Sequence, residues 1–275
     1  MLRQLFRNKG ATVSLIVLLA VLFVALAAPA IAPFDPEEVA VTDRLMPPSL
    51  THLFGTDQYG RDVFSRTLYG TRITLLFAAT AVFLSTVIGV IPGLIAGYVG
   101  GRLDTVIMRL VDIMLAFPGI LLALVVVAIL GVGLNQLIWA IAISYIPVYI
   151  RLVRGSVIAA KEEVYIEAAR QIGCPTLRIC FRHILPNVFF PVMVTSTTAI
   201  AWAILAGSAL NFIGLGVRPP ISEWGADMAD GRNYLRKAWW ITGGPGLAIM
   251  ITIYAVNLLG DWLASTMDPH LRQRL

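Results

Sequence analysis

Charge is scarce in this chain: of 275 residues only 13% are Asp, Glu, Lys or Arg, against about 25% in an ordinary soluble domain. So few charges cannot clothe a water-soluble core of this size, which argues against a soluble enzyme or a disordered chain. Cysteine is scarcer still. Cys174 and Cys180 are the whole complement, and they give neither a disulfide framework nor a metal-ligand spacing. His52, His183 and His270 lie far apart, so no metal site is expected. Also absent are G-x-x-x-x-G-K-[ST], H-E-x-x-H and G-x-S-x-G, so the chain holds neither a phosphate-cradling loop nor a familiar hydrolytic centre. The net charge of +5 and the pI near 9.5 fit basic loops beside a membrane better than a nucleic-acid surface.

What the chain has instead is apolar length: 58% of residues are hydrophobic and the mean hydropathy is +0.81. Six apolar runs fall at about 11–32, 73–98, 105–130, 135–152, 188–211 and 245–264. Each is near the roughly 20 residues a helix needs to cross about 30 Å of hydrocarbon. Backbone in lipid must satisfy its own hydrogen bonds, so such runs read as helices. The expected fold is all-α, a polytopic membrane protein with six transmembrane helices. The first run, behind Arg3, Arg7 and Lys9, imitates a secretory signal around Ala25-Leu26-Ala27. It exceeds the usual signal core of about 7–15 residues and is expected to stay as a helix. With the N-terminus inside, thirteen Lys and Arg fall in inner segments and eight in outer ones, so both termini are expected to be cytoplasmic. The chain then divides into a first helix plus outer loop, 1–72, and a five-helix core, 73–275. Further loops lie at about 153–187 inside and about 212–244 outside.

The helix centres hold no carboxylate or lysine suited to a proton relay. Asp104, Arg109, Asp112 and Asp261 lie toward inner helix ends, as interfacial anchors or intersubunit ion pairs. A transporter of this kind needs an external motor. The inner segment 161–187, KEEVYIEAARQIGCPTLRICFRHILPN, places apolar residues at helical spacing. It predicts a helix over about 162–172, a stop at Gly173 and a second helix opening at Pro175. Glu167-Ala168-Ala169 sets one carboxylate beside two minimal side chains, suited to lying in a partner's groove; an ordinary interfacial helix is the alternative.

Glu167, Ala168, Ala169, Gly173 and Ile184-Leu185-Pro186 resemble, with spacing intact, the E-A-A…G…I-x-L-P pattern of ATP-binding-cassette (ABC) importer permeases. The resemblance implies that Glu167, Ala168, Ala169, Gly173, Leu185 and Pro186 belong to a coupling loop docking on an ATPase subunit. His52 to Asp57, Gly60-Arg61-Asp62 and Ser65-Arg66 are similar to the L-G-T-D…G-R-D…S-R stretch of dipeptide, oligopeptide and nickel permeases. Asn211 to Pro220 with Glu223-Trp224-Gly225 resemble that group's S-F-L-G-L-G-V-x-P-P…E-W-G signature, and Asn257 to Asp261 with Asp268-Pro269 also fit. The chain is thus similar to the C-type, second permease subunit of a dipeptide transporter, with a type I ABC importer permease fold.

That likeness implies further parts. They are a B-type permease partner, two ABC ATPases binding ATP and Mg2+, an extracytoplasmic solute-binding protein, and a bacterial cytoplasmic (inner) membrane with its lipid. No cofactor is expected on this chain, and no nucleic acid. A nickel, glutathione or antimicrobial-peptide importer is the near alternative and an ion-coupled secondary carrier the distant one. Asp57, Arg61, Asp62, Arg66, Glu223 and Trp224 suit a binding-protein contact, an outer gate or a salt-bridged cap. Thr195, Thr198 and Trp202 share a helix face and are pore candidates, with Ser85 and Thr86 as neighbours, unless the hydroxyls bond back to their own helices. Gly89, Gly93, Gly97 and Gly101 recur every fourth residue, a ridge for close helix packing.

Overall fold

The computed structural model describes Leu5 and residues 8–267. Arg3, Arg7, Asp268-Pro269, His270, Arg272 and Arg274 lie outside the described residues. The described chain is helical, with Thr56–Asp62 as an isolated β-bridge among those residues.

Helix α1 spans Lys9–Ile31, opened by Asn8, whose side chain accepts from the Ala11 N–H at 3.1 Å. Helix α2, Val63–Val99, is 37 residues long, about 55 Å at 1.5 Å per residue. It starts ahead of the expected apolar run at 73, because residues 63–71 include polar side chains that are mostly buried against distant partners rather than looped out. Helix α5, Leu134–Lys161, likewise runs past the expected 152. Helix α7, Thr176–Phe212, begins before 188, and α9, Trp240–Met267, closes the described chain.

The run expected at 105–130 is not one straight span. Helix α3, Gly101–Leu115, and α4, Gly119–Leu130, meet at 92°. Pro118 has no N–H to give and disfavours helical backbone at Phe117 before it, so the helix ends there. Among the described residues five helices are each long and apolar enough to cross a membrane, and the bent pair brings the number to six where its two halves count as one broken span. Arg154 holds α3 against α5 through two bonds to Asp104, at 2.5 and 2.7 Å, and Arg151 pairs with Asp112. The acidic residues at these helix ends are therefore paired within the chain.

The core lies where α2 crosses α5, with Phe77, Leu137, Ile141, Tyr149 and Ile204 fully buried. Gly89, Gly93 and Gly97 form the expected ridge. A Cβ at these positions would lie 2.6, 2.8 and 2.7 Å from the side chains of Tyr149, Val153 and Val157, themselves four residues apart. Gly101 has open space around it and stands outside the seam. Apolar side chains that face outward, such as Phe23 and Leu26 on α1 and Phe83 on α2, are lipid-facing by chemistry.

Candidate functional site

The two ends of the bundle are built differently. At one end stands the elbow: helix α6, Val164–Gln171, a turn, and the opening of α7. The turn is a Schellman stop. The Gly173 N–H donates to the Arg170 carbonyl at 3.0 Å and the Cys174 N–H to the Ala169 carbonyl at 3.1 Å. Gly173 has φ +79°, the left-handed backbone that side chains resist by about 1 kcal/mol or more. Pro175 follows and α7 starts at Thr176, within two residues of expectation.

The inner face of α6 seats Ile166 and Ala169 in the core beside Ile179 and Ile184. The other face is open: Glu167 and Ala168 are exposed, flanked by Val164 and Ile172, each 80% exposed, and Leu177 at 72%. Arg170 lies 5.6 Å over the Tyr98 ring at the end of α2, and Asn187 Nδ2 donates to the Tyr165 hydroxyl at 2.5 Å. The elbow is thus tied to both α2 and α7. The Leu185 N–H reaches back five residues to the Cys180 carbonyl, a π-turn over Ile179–Ile184, directly before Pro186, whose side chain is exposed.

At the opposite end, residues far apart in sequence form a buried brace. Asp57 Oδ1 accepts from the backbone N–H groups of Tyr59 and Arg61, and its Oδ2 accepts from Arg61 Nε at 2.6 Å. Arg61 Nη2 reaches Asp230 at 2.8 Å. Burial pulls the Arg61 pKa down, but Asp57 and Asp230 outweigh it and hold the guanidinium above its ordinary value. Asp62 caps α2 by accepting from the Ser65 N–H at 2.7 Å, and its other oxygen lies 2.9 Å from His52 Nδ1. Arg66 donates through Nε and Nη2 to one oxygen of Asp227, in the short helix α8, Trp224–Gly231.

Glu223 caps α8 by accepting from the Ala226 N–H, and its second oxygen accepts from Thr74, both at 2.9 Å. The Trp224 indole donates to the Thr67 carbonyl at 2.9 Å, and that of Trp240 to the Thr56 carbonyl at 3.0 Å. Complete burial pushes the Glu223 carboxyl up to about 7, against the pull of its three donors. Burial likewise lifts Asp227 to about 6 in spite of Arg66. One Asp227 oxygen has no hydrogen-bond partner, which leaves it a place for a proton.

Asp57, Arg61, Asp62, Arg66, Glu223 and Trp224 are each at most 5% exposed. Of their expected uses, a salt-bridged cap fits this burial better than direct contact with a binding protein, because their polar groups are already spent on partners within the chain. Sequence reasoning missed Thr74, Asp227, Asp230 and Trp240, which complete the brace. The signal was an acidic pair three residues apart following Glu223-Trp224-Gly225, opposite in charge to Arg61 and Arg66.

The pore candidates lie on α7. Thr198 is exposed and its hydroxyl donates to the Thr195 carbonyl at 3.0 Å. Trp202 is half-buried, 5.0 Å between ring centroids from Tyr145, and it would meet a Cβ on Gly119 at 3.0 Å. The hydroxyls of Ser85 and Thr86 bond back to their own helix. The Tyr149 hydroxyl instead crosses to Ser196 at 2.8 Å.

The structure is a helical membrane bundle with one braced end and one open elbow, and comparisons with known proteins give its family. Residues 89–273 match the family of binding-protein-dependent transport system inner membrane components, and residues 1–48 match the N-terminal transmembrane domain of oligopeptide transport permease C. The di/tripeptide transport system permease protein DppC of Pseudomonas aeruginosa is 44% identical over 96% of this chain and 89% of its own. The glutathione transport system permease protein GsiD of Pectobacterium atrosepticum is 41% identical over 98% of this chain and 90% of its own. Among solved structures, an inward-facing form of the MetNI methionine ABC transporter shares the fold. Its TM-score is 0.57 at 19% identity, over 74% of this chain and 96% of that one. The chain belongs to the binding-protein-dependent, ABC importer family of inner-membrane permeases. It is a multi-pass protein of the bacterial inner membrane.

Proposed function

We propose that this chain is the second, C-type half of the membrane pathway of an importer for di- and oligopeptides. A B-type permease would supply the other half and an extracytoplasmic protein would deliver substrate. Two ABC ATPases would bind ATP with Mg2+ and carry out the hydrolysis, which this chain does not perform. The observation that supports the reading most is the elbow: Glu167 and Ala168 stand exposed between apolar side chains on a helix whose other face is seated in the core. Both termini and the elbow would then be cytoplasmic. An ATPase groove could take the small Ala168 face while a partner Arg or Lys pairs with Glu167. Closure of the ATPases would press on α6 and move α2 through Tyr98 and α7 through Asn187. The differential affinity of nucleotide for the two states would set the direction of transport.

The brace would keep α2, α8 and α9 moving as one body. Thr195, Thr198 and Trp202 would line the path, offering hydrogen bonds and an indole without a fixed charge. The test is uptake of labelled dipeptide by proteoliposomes holding the complete complex. Glu167→Lys and Gly173→Trp should assemble in the membrane yet abolish ATP-dependent uptake. Normal uptake by both would overturn the role of the elbow. The glutathione relative supports a second reading, and competition between unlabelled dipeptide and glutathione separates the two.

A further inference from the structure

A groove of about 700 Å3 opens between α1, α2 and the 219–222 turn. Its walls are apolar, with Leu22 and Leu26 from α1 and Leu76 and Ala79 from α2. Its lining also carries charges of both signs, Arg72 from α2 and Asp35 and Glu37 from the segment after α1, which form its charged rim. The rim stands where both apolar helices change character. Helix α1 ends at Ile31, a few residues before Asp35, and the apolar run of α2 opens at Ile73, beside Arg72. That is the level at which hydrocarbon gives way to headgroups.

The rim is also held in place by the fold. Arg66 Nη1 donates to the Pro36 carbonyl at 2.9 Å and to the Pro220 carbonyl at 3.3 Å. Asp35 Oδ1 accepts from the Glu37 N–H at 2.8 Å. Arg72, Asp35 and Glu37 are themselves exposed and make no ion pair among the described residues. A charged rim of both signs, set rigidly over an apolar slot, is complementary to a zwitterion with an apolar tail.

We propose that this groove binds one phospholipid with a primary ammonium headgroup, of the phosphatidylethanolamine type. The Arg72 guanidinium takes the phosphate through its fork of N–H donors. Asp35 and Glu37 accept hydrogen bonds from the ammonium, which a quaternary headgroup cannot donate. A plainly anionic headgroup would bring negative charge against both carboxylates. The upper part of an acyl chain lies along Leu22, Leu26, Leu76 and Ala79. From Arg72 to Ala79 the helix rises about 10 Å, so the rest of the chain continues along the lipid-facing surface.

The test uses the purified full-length complex in nanodiscs of equal parts dioleoyl phosphatidylethanolamine, phosphatidylcholine and phosphatidylglycerol, with retained lipid counted by native mass spectrometry. One phosphatidylethanolamine should be retained at about tenfold preference over phosphatidylcholine, the worth of a charge-assisted bond or so. The double variant Asp35→Asn with Glu37→Gln should remove the preference. Arg72→Ala should reduce retention of all three lipids, and Ala79→Trp should fill the slot and abolish it. All four side chains are exposed, so melting temperatures should stay unchanged and loss of fold is separable from loss of lipid. Equal retention of the three lipids by the unaltered protein would overturn the proposal. So would a preference that survives the double variant, or a cross-link from the Leu76→Cys variant to a second protein subunit seated in the groove.

Discussion

Replacing Gly93 by alanine tests the packing of the bundle at the seam of α2 with α5. A Cβ there would stand 2.8 Å from both the Ile150 carbonyl oxygen and Val153 Cβ, against 3.4 Å for ordinary contact. Helices α2 and α5 must part locally by about 0.6 Å, and the clash is with backbone and a branched Cβ, neither of which can turn aside. Overpacking of this kind costs about 1–3 kcal/mol. Alanine recovers up to about 1 kcal/mol of helix propensity, so the net loss is about 0–2 kcal/mol, while the deficit against a helix position with room for the methyl stays at about 1–3 kcal/mol. Gly155 on α5 is the control, since nothing lies within 4 Å of its would-be Cβ. Gly155→Ala should be neutral or stabilising by up to about 1 kcal/mol. Thermal unfolding of the two variants in one detergent gives the comparison. A Gly93→Ala protein as stable as Gly155→Ala would refute the idea that the ridge works by close approach.

The brace carries further predictions. Because the folded Glu223 carboxyl titrates near 7 instead of 4.5, the folded state binds the proton more tightly, so stability is full below the ordinary pKa and lost as pH rises through 7. The loss is at most about 3 kcal/mol; melting temperature should fall from pH 5 to pH 8, and Glu223→Gln should flatten the part that Asp227 does not account for. Arg66→Ala strands Asp227 in a buried site and should cost about 3–5 kcal/mol, whereas Arg66→Ala with Asp227→Asn should recover a large part of it in a double-mutant cycle. Trp224→Phe keeps the ring but leaves the Thr67 carbonyl without its donor, and should lower stability by about 1–3 kcal/mol in the same melt.

Local signals were legible in the sequence and distant ones were not. The elbow could be read because Gly173 and Pro175 dictate backbone on their own, and the ridge because its period of four is visible in one helix. The bend at Phe117-Pro118 was hidden by the apolar residues that flank it from Ile113 to Leu130. Hydropathy counts Pro118 as one more tolerable residue, while its missing N–H decides the local geometry. The start of α2 was misplaced for the opposite reason: residues 63–71 are too polar to look like a span, yet most are buried by partners that local pattern cannot supply. Arg66 finds Asp227 across 161 residues and Arg61 finds Asp230 across 169. The motifs around those arginines marked them as special without showing that they face inward.

The contrast between the ends follows from how each treats charge. At the brace, five carboxylates share two guanidiniums, His52 and neutral donors, four of the five buried, so separating Arg66 from Asp227 exposes an uncompensated buried charge at about 3–5 kcal/mol. Such an end resists rearrangement. At the elbow, α6 is held by the two side chains Ile166 and Ala169 and by contacts to Tyr98 and Asn187, while Glu167, Val164, Ile172 and Leu177 remain uncovered. Burying those apolar groups releases roughly 25 cal/mol per Å2, which is available only to a partner. The compliant, unsatisfied surface is therefore the elbow and the stiff one is the brace. A load applied at α6 would reach α2 and α7 before it could loosen the ion pairs at the far end.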